Sequence, residues 1–395
     1  MFLILIVILI LIHSLLCSMR INKTLIQIIL NSFISATGMG MLTILPIMLG
    51  GIVDELALDR NMVGLIASVN IVGIGIGGFI AAYFIGKKPL VQIVRIGLVG
   101  LILFEFISIF ALTPNNLLIS RFCSGIFGGL VYAGALGAFS GLKDPIKAFG
   151  IYVAVYCCWS GIGLTSLPFI LSAYGIKGGY FLLAVIGIIS LLLSNVITHL
   201  AKNIKEKSFD SLNVLLSKKA VIFTLLAYFF MQLAGGTIWA YTERIGKEAG
   251  LNQSQIGLAL GLSTLLSLIG GLLVFRLGNN FGLKRPVIIG LFFMGLSGLM
   301  LYQAQYTFVF FLANGLLGAA WAFLIPFYQQ IQASLDVQGK VVSLGTIVNM
   351  GGRSVGPAIA AFFLGTAAFI NVIWLAILGL FFSFLFLVPL LKEKH

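Results

Sequence analysis

Charge is what this sequence has least of. Only 9% of its 395 residues are charged and 60% are apolar, against roughly a quarter charged and half apolar in a soluble domain. Water is therefore not the main solvent of this chain. Histidine is scarcer still: the three present, His13, His199 and His395, exclude a zinc site of the HExxH kind and leave little for a hydrolytic triad. The four cysteines, Cys17, Cys123, Cys157 and Cys158, lie in apolar stretches without CxxC or Cys/His spacing and read as small buried hydrophobes. Neither a metal site nor a cofactor is implied, and no soluble stretch is long enough for a receptor domain.

What is abundant is long apolar sequence. A spanning helix needs about 20 mostly apolar residues, and twelve stretches qualify, at about 24–53, 61–85, 89–112, 116–140, 148–172, 179–200, 220–242, 254–277, 286–305, 307–332, 341–363 and 367–391. They predict an all-α membrane protein. Residues 2–16 form a further apolar run, more like a signal-peptide core than a span, though it lacks a basic leading segment and a clear cleavage site. Residues 1–18 are accordingly expected to be an extension or to precede a true start at Met19.

The net charge of +13 does not point to nucleic acid, because the basic residues gather in alternate connections between spans. With the N-terminus inside, the inner segments carry Arg20, Lys23, Lys87, Lys88, Lys143, Lys147, Lys202, Lys205, Lys207, Lys218, Lys219, Lys284, Arg285, Lys340, Lys392 and Lys394. The outer loops hold Arg60, Lys177, Arg244 and Lys247. Sixteen against four places both termini in the cytoplasm of a cell inner membrane.

The chain also repeats. At an offset of 193 residues, Leu58 falls on Leu251, Gly64 on Gly257, Gly77 and Gly78 on Gly270 and Gly271, Gly97 on Gly290, Gly125 on Gly318, Lys147 on Lys340 and Gly163 on Gly356. The basic loops, Lys-Lys-Pro at 87–89 and Lys-Arg-Pro at 284–286, match after a local slip. Matching order of helices, loops and charges indicates duplication. The expected units are a bundle at 19–200, a lysine-rich cytoplasmic linker at 201–219 and a bundle at 220–395, six helices each.

With these features the chain resembles the major facilitator superfamily. GNNFGLKRP, between spans 8 and 9, is similar to that family's loop signature of glycine, acid, glycine and basic residues, with Asn279 and Asn280 where the acid would stand. GGFIAAYFIGKKP keeps the glycines with Lys87 and Lys88, again without an acid. On span 4, Arg121, Gly125 and Gly129 resemble the family's arginine-and-glycine signature, and GGRSVGP on span 11 resembles the glycine-proline motif of antiporters. The resemblance covers nearly everything after residue 19. It implies twelve helices in two pseudo-symmetric bundles, a cavity-facing span 4 with a peripheral span 3, and transport by alternating access rather than catalysis.

Ionisable residues inside hydrocarbon cost at least a few kcal/mol, so each is a functional candidate. Arg353 lies about 18 Å into span 11 at about 1.5 Å per residue, near the bilayer midplane, as a substrate anchor or as a partner for a neighbouring helix. Arg121 and Glu105 enter spans 4 and 3 at about 8 and 10 Å from their outer ends, depths that permit either an ion pair or a role for Arg121 in the cavity. Arg95 and Arg276 sit near inner ends and are expected to snorkel. Glu243, in WAYTERIG at the rim of span 7, is a proton-coupling candidate beside Glu105, or else a solvated charge paired with Arg244 or Lys247. Asp54 and Glu55 at the end of span 1 read the same way.

Gln232 and Trp239 on span 7, Asn314, Trp321 and Tyr328 on span 10, Asn349 on span 11, Tyr132 on span 4 and Tyr156 on span 5 complete a candidate cavity. Asn314, Trp321 and Tyr328 recur every seven residues and so share a helix face. The GxxxG pairs, Gly125 with Gly129 and Gly352 with Gly356, suit close helix packing.

Surplus positive charge at that depth favours a small organic anion, moved by a secondary active symporter or antiporter with a coupling proton. The protein is expected to be a monomer in the lipid bilayer. Proton-coupled multidrug efflux is the alternative within transport. A membrane-embedded receptor or enzyme is the alternative of another class.

Overall fold

The computed structural model describes residues 23–56, 60–111, 113–201, 211–278, 280–364 and 369–392. The expected extension at 1–18, residues 202–210 of the expected linker and Asn279 lie outside them, as does the side chain of Asp54. Among the described residues there is no strand, and helix follows helix. α1 is three segments in series, Lys23–Gly38, Gly40–Thr43 and Leu45–Leu56. α2 is Arg60–Phe84, α3 Leu90–Phe110 and α4 Pro114–Gly137. α5 and α6 are the two limbs of Pro145–Leu193, which breaks at Gly175. α7 is Lys219–Glu248, α8 Gln253–Leu277, α9 Lys284–Met300, α10 Thr307–Leu335, α11 Lys340–Leu364 and α12 Val372–Lys392.

Nine stretches among the described residues are long and apolar enough to cross a bilayer. α1 is interrupted at Met39 and Ile44, and α2 contributes Ser68–Phe84 as a further apolar piece.

Two of the boundaries that differ from expectation have a visible cause. Residues 173–178 form no loop: the helix changes direction at Gly175, whose φ of +63° is open to glycine without strain. The limb beyond it restarts under Glu55, whose Oε1 accepts a hydrogen bond from Ile176 N at 2.5 Å. A carboxylate there suits the positive end of α6, so a residue expected at the rim caps a helix. α6 is also interrupted after Leu193 by a turn at 194–195, and helix resumes at Val196–Ala201. Arg95 holds this turn, donating from Nε to Ser194 Oγ at 2.9 Å and from Nη2 to Asn195 Oδ1 at 2.7 Å, which ties the α3 end to it.

The duplication is visible in the packing. Gly77 lies against the carbonyl of Ile126 and Gly270 against that of Ala319; Gly125 meets Asn70 O and Gly318 meets Ser263 O; Gly97 packs on Leu130 and Val131, Gly290 on Phe323 and Leu324. Every partner in the second bundle is its first-bundle counterpart displaced by 193 residues. These positions need glycine because the opposing backbone occupies the space of a side chain, the close approach that lets helices pack in lipid. Gly352 and Gly356 do the same for α11 against Phe229 O and Leu233 O of α7.

The bundles meet through two equivalent seams. Gly78 of α2 touches Ser343 and Thr346 of α11, and Gly271 of α8 touches Gly150 and Val153 of α5, again 193 residues apart. Away from this seam, α3 and α9 turn matching apolar stripes outward: Ile96, Val99 and Phe106 on one, Ile289, Phe292 and Leu299 on the other are exposed. Such faces belong to lipid. Residues 211–219 of the expected linker begin with Ser211 capping the short helix Leu212–Ser217, whose Leu215 packs against Val221 and Val341.

Candidate functional site

The seams close at the end of the bundles that carries the basic loops. There Ser343 Oγ donates to Ala133 O at 3.1 Å, Gly339 abuts Gly137, and Gly86 abuts the side chain of Gln338. Towards the other end the α5–α8 seam parts: among the described residues, a Cβ on Gly161 or Gly261 would meet nothing within 4 Å. The bundles therefore enclose a cleft that is shut at the basic-loop end.

Its floor is a narrow hollow of about 10 Å³ lined by Met39, Tyr132, Tyr152, Val153, Tyr156, Trp321, Ile325, Asn349 and Arg353. Many of these are related by the 193-residue repeat: Tyr132 with Ile325, Tyr156 with Asn349, Met39 with Gln232 just behind the wall, and Ser160 with Arg353. The hollow thus sits on the pseudo-two-fold axis. The second bundle supplies the more polar member of three of these pairs, Gln232, Asn349 and Arg353.

A chain of hydrogen bonds crosses the hollow. Trp321 Nε1 donates to Gln232 Oε1 at 2.8 Å. Gln232 Nε2 donates to Asn349 Oδ1 at 2.6 Å and to Tyr228 Oη at 3.2 Å. Asn349 Nδ2 donates to Tyr132 Oη at 3.2 Å, joining the two bundles. Arg353 stands beside this chain with its Cζ 5.4 Å from the centroid of the Trp321 ring and its guanidinium beside the Tyr156 hydroxyl. Among the described residues no carboxylate lies within ion-pair distance of it. The local sequence explains how it fits. Gly236 of α7 lets the Arg353 backbone approach closely, and Pro357, four residues on, lacks the N–H that would bond the Arg353 carbonyl.

Arg121 has a different environment. It is fully buried in the first bundle, with Nη1 at 3.1 Å from Glu105 Oε1 and 3.0 Å from Oε2. Nη2 donates to Phe104 O at 3.2 Å and to Ser108 Oγ. Ser124 Oγ donates to the same carboxylate at 2.7 Å, and the Tyr180 ring lies 4.6 Å from the guanidinium carbon. A second hollow, lined in part by Thr37, Asn70, Glu105 and Ser124, reaches this pair from inside the first bundle.

Duplicated six-helix bundles around an axial cleft define the fold, and the sequence matches the Major Facilitator Superfamily over residues 28–357. The chain belongs to that superfamily. A curated relative is the uncharacterized MFS-type transporter YceJ of Bacillus subtilis (strain 168), 23% identical over 325 residues, which are 78% of this chain and 82% of that protein. Among solved structures, the proton:xylose symporter XylE bound to 6-bromo-6-deoxy-D-glucose superposes with a TM-score of 0.74 at 13% identity, covering 93% of this chain and 96% of that one. A bacterial homologue of the iron transporter ferroportin in its outward-facing state gives 0.72 at 12%, covering 93% and 99%. At such identities the likeness is one of fold. The superfamily consists of transporters of small molecules, not enzymes.

Of the residues expected to form the site, the structure of this superfamily member gathers Gln232, Asn349, Arg353 and Tyr156 with Trp321 and Tyr132. It leaves others elsewhere. Asn314, the repeat equivalent of Arg121, is buried and donates to Phe310 O of its own helix at 2.9 Å. Tyr328 hydrogen-bonds Ser383 of α12 at 2.5 Å and stacks on Tyr228. Although 314, 321 and 328 share a face, each is about 10 Å further along the axis and so meets different neighbours. Trp239 is exposed at the far end of α7. Glu243 pairs with Lys247 at 2.6 Å, both side chains nearly half exposed.

Met39, Tyr152, Val153 and Ile325 were not singled out from the sequence. Two signals point to them. Met39 and Ile325 are the repeat partners of Gln232 and Tyr132, and Tyr152 lies one helical turn from Tyr156.

Proposed function

We propose that this superfamily member is a secondary active transporter of a small organic anion, carried by alternating access as bundles at 19–200 and 220–395, joined by a linker at 201–219, rock about the axial cleft. The observation that carries the reading is Arg353, a guanidinium at the pseudo-symmetry axis with aromatic neighbours and no carboxylate partner among the described residues. A buried charge without its counter-ion is costly, and an anionic solute would supply one at the point where both bundles can grip it.

Proton coupling is assigned to Glu105. The hollow that reaches it offers a proton path, and neutralising it would release Arg121. The basic loops favour an inner membrane with both termini cytoplasmic, and the lipid-facing stripes of α3 and α9 are consistent with a monomer. Proton-coupled drug efflux is the second reading, and it draws support from the aromatic lining of the same hollow.

The test is uptake into proteoliposomes with an imposed pH gradient. Arg353→Ala should abolish anion uptake while Arg353→Lys retains part of it. Full uptake by Arg353→Ala protein would remove Arg353 as the anchor.

A further inference from the structure

Hydrogen-bond accounting in the cleft narrows the solute. Gln232 uses its carbonyl for Trp321 Nε1 and its amide for Asn349 and Tyr228. Asn349 uses its carbonyl for Gln232 and its amide for Tyr132. The neutral polar groups at the floor therefore satisfy one another, and a polyhydroxylated solute would have to break these bonds to gain any. Replacing one made hydrogen bond by another yields little net affinity.

What the cleft does offer is of two kinds. One is the single guanidinium of Arg353, whose planar fork matches one carboxylate in bidentate fashion. The other is flat apolar surface: the rings of Tyr132, Tyr152, Tyr156 and Trp321 with the side chains of Met39 and Ile325. Tyr132 and Tyr152 are 6.1 Å apart at 38°, and Tyr152 and Tyr156 6.1 Å apart at 45°, a tilted series running down one wall. Aromatic faces of this kind reward a planar ring in the solute. A second carboxylate would find no second cation among the cleft's lining residues and would be desolvated without compensation.

Resting on the assignment of Arg353 as an anion anchor, we propose that the solute is an aromatic monocarboxylate, its carboxylate on Arg353 and its ring against Trp321 and the tyrosine series, and that Gln232 and Asn349 hold the wall rather than read the solute.

The experiment is binding to the purified full-length protein, read by isothermal titration and by counterflow in proteoliposomes. The probes are benzoate, lactate, phthalate, benzyl alcohol and xylose. Benzoate is expected to bind at least about tenfold more tightly than lactate or phthalate, the advantage of one well-placed ring or the cost of one surplus charge. Benzyl alcohol and xylose should give no counterflow. Arg353→Ala should weaken benzoate by about 10- to 100-fold, the range of a charge-assisted contact. Trp321→Phe should weaken it less and keep the preference for benzoate over benzyl alcohol, so the proposal does not depend on one variant folding.

Lactate or phthalate preferred over benzoate, with dependence on Arg353, would overturn the aromatic monocarboxylate and keep the anion reading. Counterflow of xylose or benzyl alcohol with none of the acids would overturn both.

Discussion

The two bundles share a packing plan and differ in where they keep their charge. In the first, the buried arginine is Arg121, and Glu105 on the neighbouring helix holds it at 3.0 Å. The equivalent positions in the second bundle are Asn314 and Gly298, both neutral. In the second, the arginine is Arg353, on the axis between the bundles, where the first bundle has Ser160. A charge closed inside one bundle has its partner in the same bundle, so rocking alone does not separate them. A charge at the interface can take its partner from the solute. The glycines that set helix distances match across the repeat, whereas the polar positions have diverged, and that separates what the fold requires from what the cargo requires.

The sharpest way to break this comparison is to take each arginine's surroundings away in turn. Glu105→Ala leaves Arg121 buried and uncompensated, and should cost about 3–5 kcal/mol of stability, seen as early loss of monodisperse protein on heating in detergent. The double variant Arg121→Met with Glu105→Leu should recover most of that loss, because a buried pair exchanged for apolar side chains is often nearly neutral. If the double variant is stable and still shows pH-driven uptake, Glu105 does not carry the coupling proton. Arg353→Met, by contrast, should leave the melting profile close to wild type while uptake fails.

The common packing plan makes its own prediction, of intermediate size. Gly77→Ala and Gly270→Ala each drive a methyl group into a carbonyl of the adjacent helix, Ile126 and Ala319 respectively. Each should destabilise by about 1–3 kcal/mol as an overpacking change, and the two values should agree within the scatter of paired measurements. A large effect at one glycine and none at the other would mean that the halves no longer share a packing register.

Much of this was legible in the sequence, and what was not has identifiable causes. The 193-residue offset was readable because a glycine under an opposing backbone has no substitute, so both copies kept it at Gly77 and Gly270, Gly97 and Gly290, Gly125 and Gly318. The positions of Arg121, Glu105 and Arg353 along their helices followed from the helical rise. Whether Arg121 turns to α3 or to the cleft did not, since that depends on how α4 is rotated about its axis, which composition does not encode. The chain from Trp321 through Gln232 and Asn349 to Tyr132 draws on four helices, and its existence rests on their crossing geometry. The α5–α6 break falls where expected, but it is far shorter than expected for a similar reason. Ile-Lys-Gly-Gly after Gly175 reads as loop, but Glu55 from a distant part of the sequence caps the helix and lets it resume at once.

The smallest expected effect lies at the rim of the second bundle, and it decides which acid belongs to the mechanism. Glu243 and Lys247 are one helical turn apart on α7 and both nearly half exposed. Exposed i,i+4 pairs are worth about 0.3–0.5 kcal/mol and fade with salt, so Glu243→Gln should leave stability almost unchanged. It should also leave the pH dependence of uptake in place, because a solvated carboxylate at the rim stays in equilibrium with bulk water whichever way the cleft faces. Glu105 is enclosed and can exchange its proton only when a path such as the hollow beside Thr37 and Asn70 is open. Uptake measured between pH 5 and 8 in the two single variants, Glu243→Gln and Glu105→Gln, separates the cases: loss of the pH dependence in the first and its persistence in the second would move proton coupling from the interior of the first bundle to the rim of the second.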